Sequence, residues 1–145
     1  MVDAQVSSIA HVIQLSVAPV FLIAGIGSTL IVLTNRLARI VDRARRLAGM
    51  LKGIEPEPAA SLQHELAILD QRAHLIYFGI GCCTICALLI CSVVVTLFVG
   101  ASLNLNMAKP VALLFIGAMT AFICALLCFL REIRLAVNNL RIGLP

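Results

Sequence analysis

From Gln14, alternating steps of four and three residues place Gln14, Ala18, Phe21, Gly25, Ser28, Val32, Asn35, Arg39, Asp42 and Arg46 on one face of a helix. A face holding Gln, Ser and Asn within an apolar run suits a helix packed into an oligomer or a helix lining a watery path. Repeated around a symmetry axis, such side chains form rings. Gln14, Ala18, Phe21, Gly25, Ser28, Val32 and Asn35 are then the candidate pore lining, with Phe21 and Val32 as apolar constrictions. Arg36, Arg39, Asp42, Arg43 and Arg46 are the candidates for an inner mouth, or for binding anions and lipid headgroups. Extended outward, the same face reaches His11, Ser7 and Asp3, which sets an acid at one end and arginines at the other.

Each feature also has a plainer reading. Gly25, Ser28 and Ala18 let backbones approach closely and mark helix packing as readily as a pore. Basic residues beside a spanning segment fix topology, and Asp42 lies at ordinary helix-surface pairing distance from Arg39, Arg45 and Arg46. Pro19 removes the donor that would meet the Leu15 carbonyl, which predicts a bend in the outer third of the helix.

Other chemistry is thinly represented. Cys82 and Cys86, like Cys124 and Cys128, are one helical turn apart, yet four thiolates in lipid with no suitably spaced His make a poor metal site. The six cysteines are expected to act as small apolar packers, without disulfides in a reducing compartment. His11, His64 and His74 join no catalytic set, and there is no phosphate loop. Neither the second nor the third apolar run holds an Asp, Glu, Lys or Arg, which argues against proton-coupled transport. No enzymatic activity, cofactor, metal or nucleic-acid partner is expected.

The elements that must carry these residues are set by composition. Of 145 residues 61% are hydrophobic and 12% charged, with a mean hydropathy of +1.07, far from the make-up of a soluble domain. The fold class is all-α integral membrane, with one domain of three transmembrane helices at about 12–35, 75–100 and 110–130. A separate soluble catalytic domain is not expected in this length. Alternation of the kind that builds an outer-membrane barrel is missing. The first span is expected to be retained, since no Lys or Arg precedes it and it exceeds a signal-peptide core.

Arginine and lysine concentrate between the first two spans and after the third, so the N-terminus is expected outside and the C-terminus in the cytoplasm. A second seam, Ile26, Leu30, Leu33, Leu37, Ile40, Ala44, Leu47 and Leu51, runs from the first span into the basic region. Past a break at Gly53 to Pro58, Leu62, Leu66, Leu69, Ala73 and Ile76 repeat the pattern, with Ser61 a possible cap. The first two helices are therefore predicted to extend into a cytoplasmic antiparallel hairpin over about 36–74, with a tail at 131–145. Asn104 and Asn106 are the turn formers of the short outer connection.

The stretch Ala10-His11-Val12-Ile13-Gln14-Leu15-Ser16-Val17-Ala18-Pro19-Val20-Phe21-Leu22, with Gly25-Ile26-Gly27 and Leu33-Thr34-Asn35-Arg36-Leu37-Ala38-Arg39-Ile40-Val41-Asp42-Arg43-Ala44-Arg45, resembles a bacterial membrane family known as domain of unknown function 2721. The resemblance covers essentially the whole chain. It implies a bacterial inner-membrane protein whose first helix is the signature element, and it implies no activity. In pattern the helix is also similar to channels whose first helix lines a pore. The expectation is a small homo-oligomeric ion channel; the alternatives are a non-conducting scaffold or regulatory subunit that binds a partner through the hairpin, or a protein that binds anionic membrane lipids at Arg43 and Arg46.

Overall fold

A computed structural model describes residues 2–51, 56–103 and 105–142, with side chains at 13–14, 16–50, 62–103 and 105–137. Three helices follow one another: α1 (Val2–Leu51), α2 (Pro56–Leu103) and α3 (Ala108–Ile142). No strand occurs among the described residues. All three helices are long and apolar enough to cross a membrane.

Local chemistry explains where the helices begin and continue. Pro56 and Pro58 fall in the first turn of α2, and Pro110 in the first turn of α3, where a missing N–H costs nothing. Pro19 lies inside α1, which runs through it without interruption, and its side chain is buried. The helix α3 continues to Ile142 through residues expected as a tail, so Glu132 and Arg134 are helical. Between α2 and α3 the Leu105 N–H returns to the Gly100 carbonyl at 3.0 Å, the bond that closes a helix C-terminus. The Asn106 side chain accepts the Ala108 N–H at 3.2 Å, and Val111 opens the α3 ladder on the Met107 carbonyl at 3.1 Å. Asn106 is thus a turn former; Asn104 lies outside the described residues, as do Gly53 to Glu55 and the side chains of Asp3, Ser7, His11, Leu51, Pro58 and Ser61.

Two compact units are distinguished: Met1–Thr29 with Cys82–Ile123, and Leu30–Gly81 with Cys124–Pro145. In the first, the buried side chains are Ser16, Pro19 and Ile26 of α1, Cys83, Cys86, Ile90 and Val93 of α2, and Ala118 of α3. In the second they are Leu33 and Ile40 of α1, Leu69 and Ile76 of α2, and Ala125 and Glu132 of α3. Within each helix most of them fall seven apart, at 19, 26, 33 and 40, at 69, 76, 83 and 90, and at 118, 125 and 132, with Ser16, Cys86 and Val93 three residues to one side of a member. This is the spacing of a heptad seam. Among the described residues, the remaining apolar side chains are exposed or only half-buried. Only 17%, 22% and 11% of the most apolar windows of α1, α2 and α3 are buried, and Phe21, Tyr77 and Leu113 are each more than 70% exposed. An apolar exterior of this extent is at home in lipid.

Hydroxyls on the apolar stretches satisfy themselves within their own helix. Ser28 donates to Ala24 at 3.1 Å, Thr29 to Gly25 at 3.1 Å, Ser92 to Leu88 at 2.9 Å, Thr96 to Ser92 at 2.7 Å and Thr120 to Ile116 at 2.8 Å. Their presence makes no demand for water.

The turn after α2 tests the closeness of packing. A Cβ on Gly100 would stand 2.9 Å from Met107 Cγ and 3.2 Å from its Cβ, whereas one on Gly81 meets nothing within 4 Å. Gly100→Ala is expected to destabilise the chain by roughly 1–3 kcal/mol. Gly81→Ala should leave stability unchanged or raise it by up to about 1 kcal/mol. Thermal unfolding in detergent, followed with a thiol-reactive dye at the buried Cys83 and Cys86, measures both.

Candidate functional site

The charges of the second unit converge on one carboxylate. Glu132 on α3 is fully buried. Arg72 of α2 donates from Nε (3.2 Å) and Nη2 (2.8 Å) to Glu132 Oε1. Arg36 of α1 brings Nε to 3.3 Å from Oε2, close enough for an ion pair but without hydrogen-bond alignment, so Oε2 accepts no hydrogen bond. The Arg36 guanidinium also lies over the Phe129 ring, 5.4 Å from its centre. One residue from each helix therefore meets in a single cluster.

Sequence position explains the meeting. Arg36 stands three residues after the buried Leu33, and Arg72 three after the buried Leu69, so both flank their seams in the same way. Glu132 occupies the buried phase of α3 set by Ala118 and Ala125, small residues that let the neighbouring helices approach. Around Gly79 the same closeness shows: a Cβ there would lie 3.6 Å from the Ala125 carbonyl and 3.7 Å from Cys128 and Leu33.

Beside the cluster an open cavity of about 410 Å³ is lined by Val32, Asn35, Arg36, Arg39, Ile40 and Arg72. Glu132 is not part of its wall. Both guanidiniums touch the carboxylate along their Nε edges, which leaves other N–H donors for the cavity. Arg39 is exposed and has no ion-pair partner among the described residues. Further along α1, Arg43, well exposed, pairs with Glu65 of α2, which is half-buried. Asp42 and Arg46 are exposed as well.

The other expected site residues form a consistent set. Gln14, Ala18, Phe21, Gly25, Ser28, Val32 and Asn35 are all exposed, and a Cβ on Gly25 would meet nothing within 4 Å. The seam opposite, Ile26, Leu30, Leu33, Leu37, Ile40, Ala44 and Leu47, is buried or half-buried throughout. The stripe thus turns away from the helices of its own chain. Of the basic group, Arg36 is committed to Glu132 and Arg43 to Glu65. Among the described residues no three of His, Cys, Asp and Glu gather at one point, and the cysteines are unbridged.

The spacing of α3 carried a signal for Glu132 that composition hid. Beyond the third apolar run, an acid between Arg131 and Arg134 reads as a solvated tail; its phase, seven residues past Ala125, points inward.

Three long apolar helices closed by a buried charge cluster define a multi-pass, all-helical membrane protein. Residues 16–142 match the family model described as protein of unknown function (DUF2721), and the chain belongs to that family. No curated protein and no solved structure matches it.

The ion pairs Arg72–Glu132 and Arg43–Glu65 should differ in strength. Removing one partner of a buried pair leaves an uncompensated charge and costs about 3–5 kcal/mol, whereas an exposed pair contributes about 0.2–1 kcal/mol. A double-mutant cycle with Arg72→Gln and Glu132→Gln is expected to give a coupling several times that of Arg43→Gln with Glu65→Gln, both read from unfolding in detergent. Equal couplings would show that the Glu132 cluster is not the stronger constraint.

Proposed function

We propose that the chain is the subunit of a homo-oligomeric ion channel, assembled through the exposed face of α1, and that it performs no catalysis. The observation that carries this reading is the uniform exposure of the stripe from Gln14 to Arg46 opposite a buried seam. The amides of Gln14 and Asn35 have no partner within the described chain, and an amide facing hydrocarbon without one is unfavourable by several kcal/mol at the upper end of about 2–7 kcal/mol. A second copy of α1, or water in a central path, supplies what they lack. Arg39 and Arg46 at the basic end would then favour anions, with Asp42 as a local counter-charge. On this reading the membrane is a bacterial inner membrane, the N-terminus is outside, and residues 36–74 form the cytoplasmic hairpin. The contact of Arg43 with Glu65 supports that hairpin.

A second reading rests on Ser28, whose hydroxyl bonds back to Ala24 and asks for no water. The same face then packs tightly between copies, and the protein serves as a non-conducting scaffold or regulatory subunit.

Flux measurements separate the two. Purified protein in liposomes should pass ions down an imposed gradient, and Gly25→Leu should abolish flux and self-association with no change in thermal midpoint, since a Cβ at that position meets nothing in the chain. Self-association lost by Gly25→Leu, with no flux from the unmodified protein, supports the scaffold. Self-association unaffected by Gly25→Leu removes this face of α1 from the assembly and overturns both.

A further inference from the structure

We infer that the cavity lined by Arg36, Arg39, Arg72 and Asn35 is a binding site for a phosphate group, carried by an anionic lipid or free in solution. The site is built from a single chain, and it shares Val32, Asn35 and Arg39 with the stripe assigned above to assembly or to a pore. Charge is the first ground. Three guanidiniums line the cavity and one carboxylate, Glu132, pairs with two of them, so two positive charges stay uncompensated among the described residues, one of them on the unpaired Arg39. A concave site of one sign concentrates anions.

Geometry is the second ground. Glu132 lies behind the cavity wall and grips Arg36 and Arg72 by their Nε edges. Long side chains that would otherwise sample many rotamers are thereby held in place before a ligand arrives. The donors left over are planar guanidinium N–H groups, which match phosphate oxygens better than an ammonium does. Asn35 adds an amide that is free among the described residues.

The third ground is the position of the wall. Val32 and Ile40 give the cavity apolar surface, and Val32 sits on the last apolar turn of α1 before Arg36 and Arg39. A phospholipid has this same arrangement, a charged head joined to an apolar chain. With about 410 Å³ the cavity falls within the range of small-ligand sites.

The test uses the full chain in a neutral detergent, with short-chain phosphatidylglycerol, phosphatidylcholine of equal acyl length, and inorganic phosphate as probes. The variants are Arg39→Gln, which leaves the Glu132 cluster complete, and the controls Arg45→Gln and Arg134→Gln, each removing one exposed arginine outside the cavity. Phosphatidylglycerol should raise the thermal midpoint and be retained in native mass spectra, with phosphatidylcholine inactive. Arg39→Gln should raise the half-saturating concentration at least tenfold, and the controls less than twofold. Stabilisation by inorganic phosphate with the same dependence on Arg39 identifies free phosphate as the ligand; phosphatidylglycerol alone identifies the lipid. Equal losses in all three variants would mean diffuse attraction and overturn the site. So would a phosphatidylcholine effect matching that of phosphatidylglycerol, or no effect from any probe.

Discussion

A carboxylate without access to solvent, held between guanidiniums from two other helices, is the constraint on which the Leu30–Gly81 and Cys124–Pro145 unit depends. Its value to the fold is specificity more than net energy. Desolvating an ion costs several kcal/mol, and an apolar replacement of similar volume is often as stable. The apolar seams alone leave registers open. Leu33 and Ile40 on α1, Leu69 and Ile76 on α2, and Ala118 and Ala125 on α3 repeat every seven residues, so sliding one helix by a heptad exchanges like for like. Glu132 breaks that near-degeneracy: one heptad away, the positions equivalent to Arg36 and Arg72 are Thr29 or Arg43 and Glu65 or Gly79, and no such pair supplies two guanidiniums. A single buried polar group fixes register in the same manner in simple coiled coils.

Much of the architecture was legible because a membrane imposes a narrow menu. Apolar runs of about twenty residues must be helical where lipid offers the backbone no partner. The four-three periodicity of α1 could then be read directly: Ile26, Leu33 and Ile40 are buried, and Phe21, Gly25 and Val32 are exposed. Turn chemistry was readable for the same reason, since few residues bond a helix start as Asn106 does.

Glu132 was not legible by composition, because an acid flanked by Arg131 and Arg134 looks like any solvated helix end. Nor could Arg36 be told from Arg39 and Arg43 by type. At about 100° per residue Arg36 and Arg39 point about 60° apart and Arg39 and Arg43 about 40° apart, and only the seam fixes which of them turns inward. Arg36, three residues beyond Leu33, reaches Glu132; Arg39, one residue before Ile40, opens to the cavity; Arg43 reaches Glu65. One basic run therefore supplies three different environments. The direction of the exposed stripe is a property of the single chain, while its surroundings are set by whatever meets that face.

The buried cluster also limits what its arginines can do. A guanidinium tied along its Nε edge cannot swing into an axial ring, so Arg36 and Arg72 present their remaining donors from fixed positions. Arg39 and Arg46 carry no such tie among the described residues and keep the reach of a long side chain. Rigid and mobile positive charge thus alternate along about three turns of α1. Arg36 and Arg72 form the fixed part of the cavity wall, Arg39 reaches the same cavity untied, and Arg46 serves whatever approaches the exposed face. A single carboxylate on α3 makes that division, because it holds Arg36 and leaves Arg39 and Arg46 untied, while Arg43 turns to Glu65.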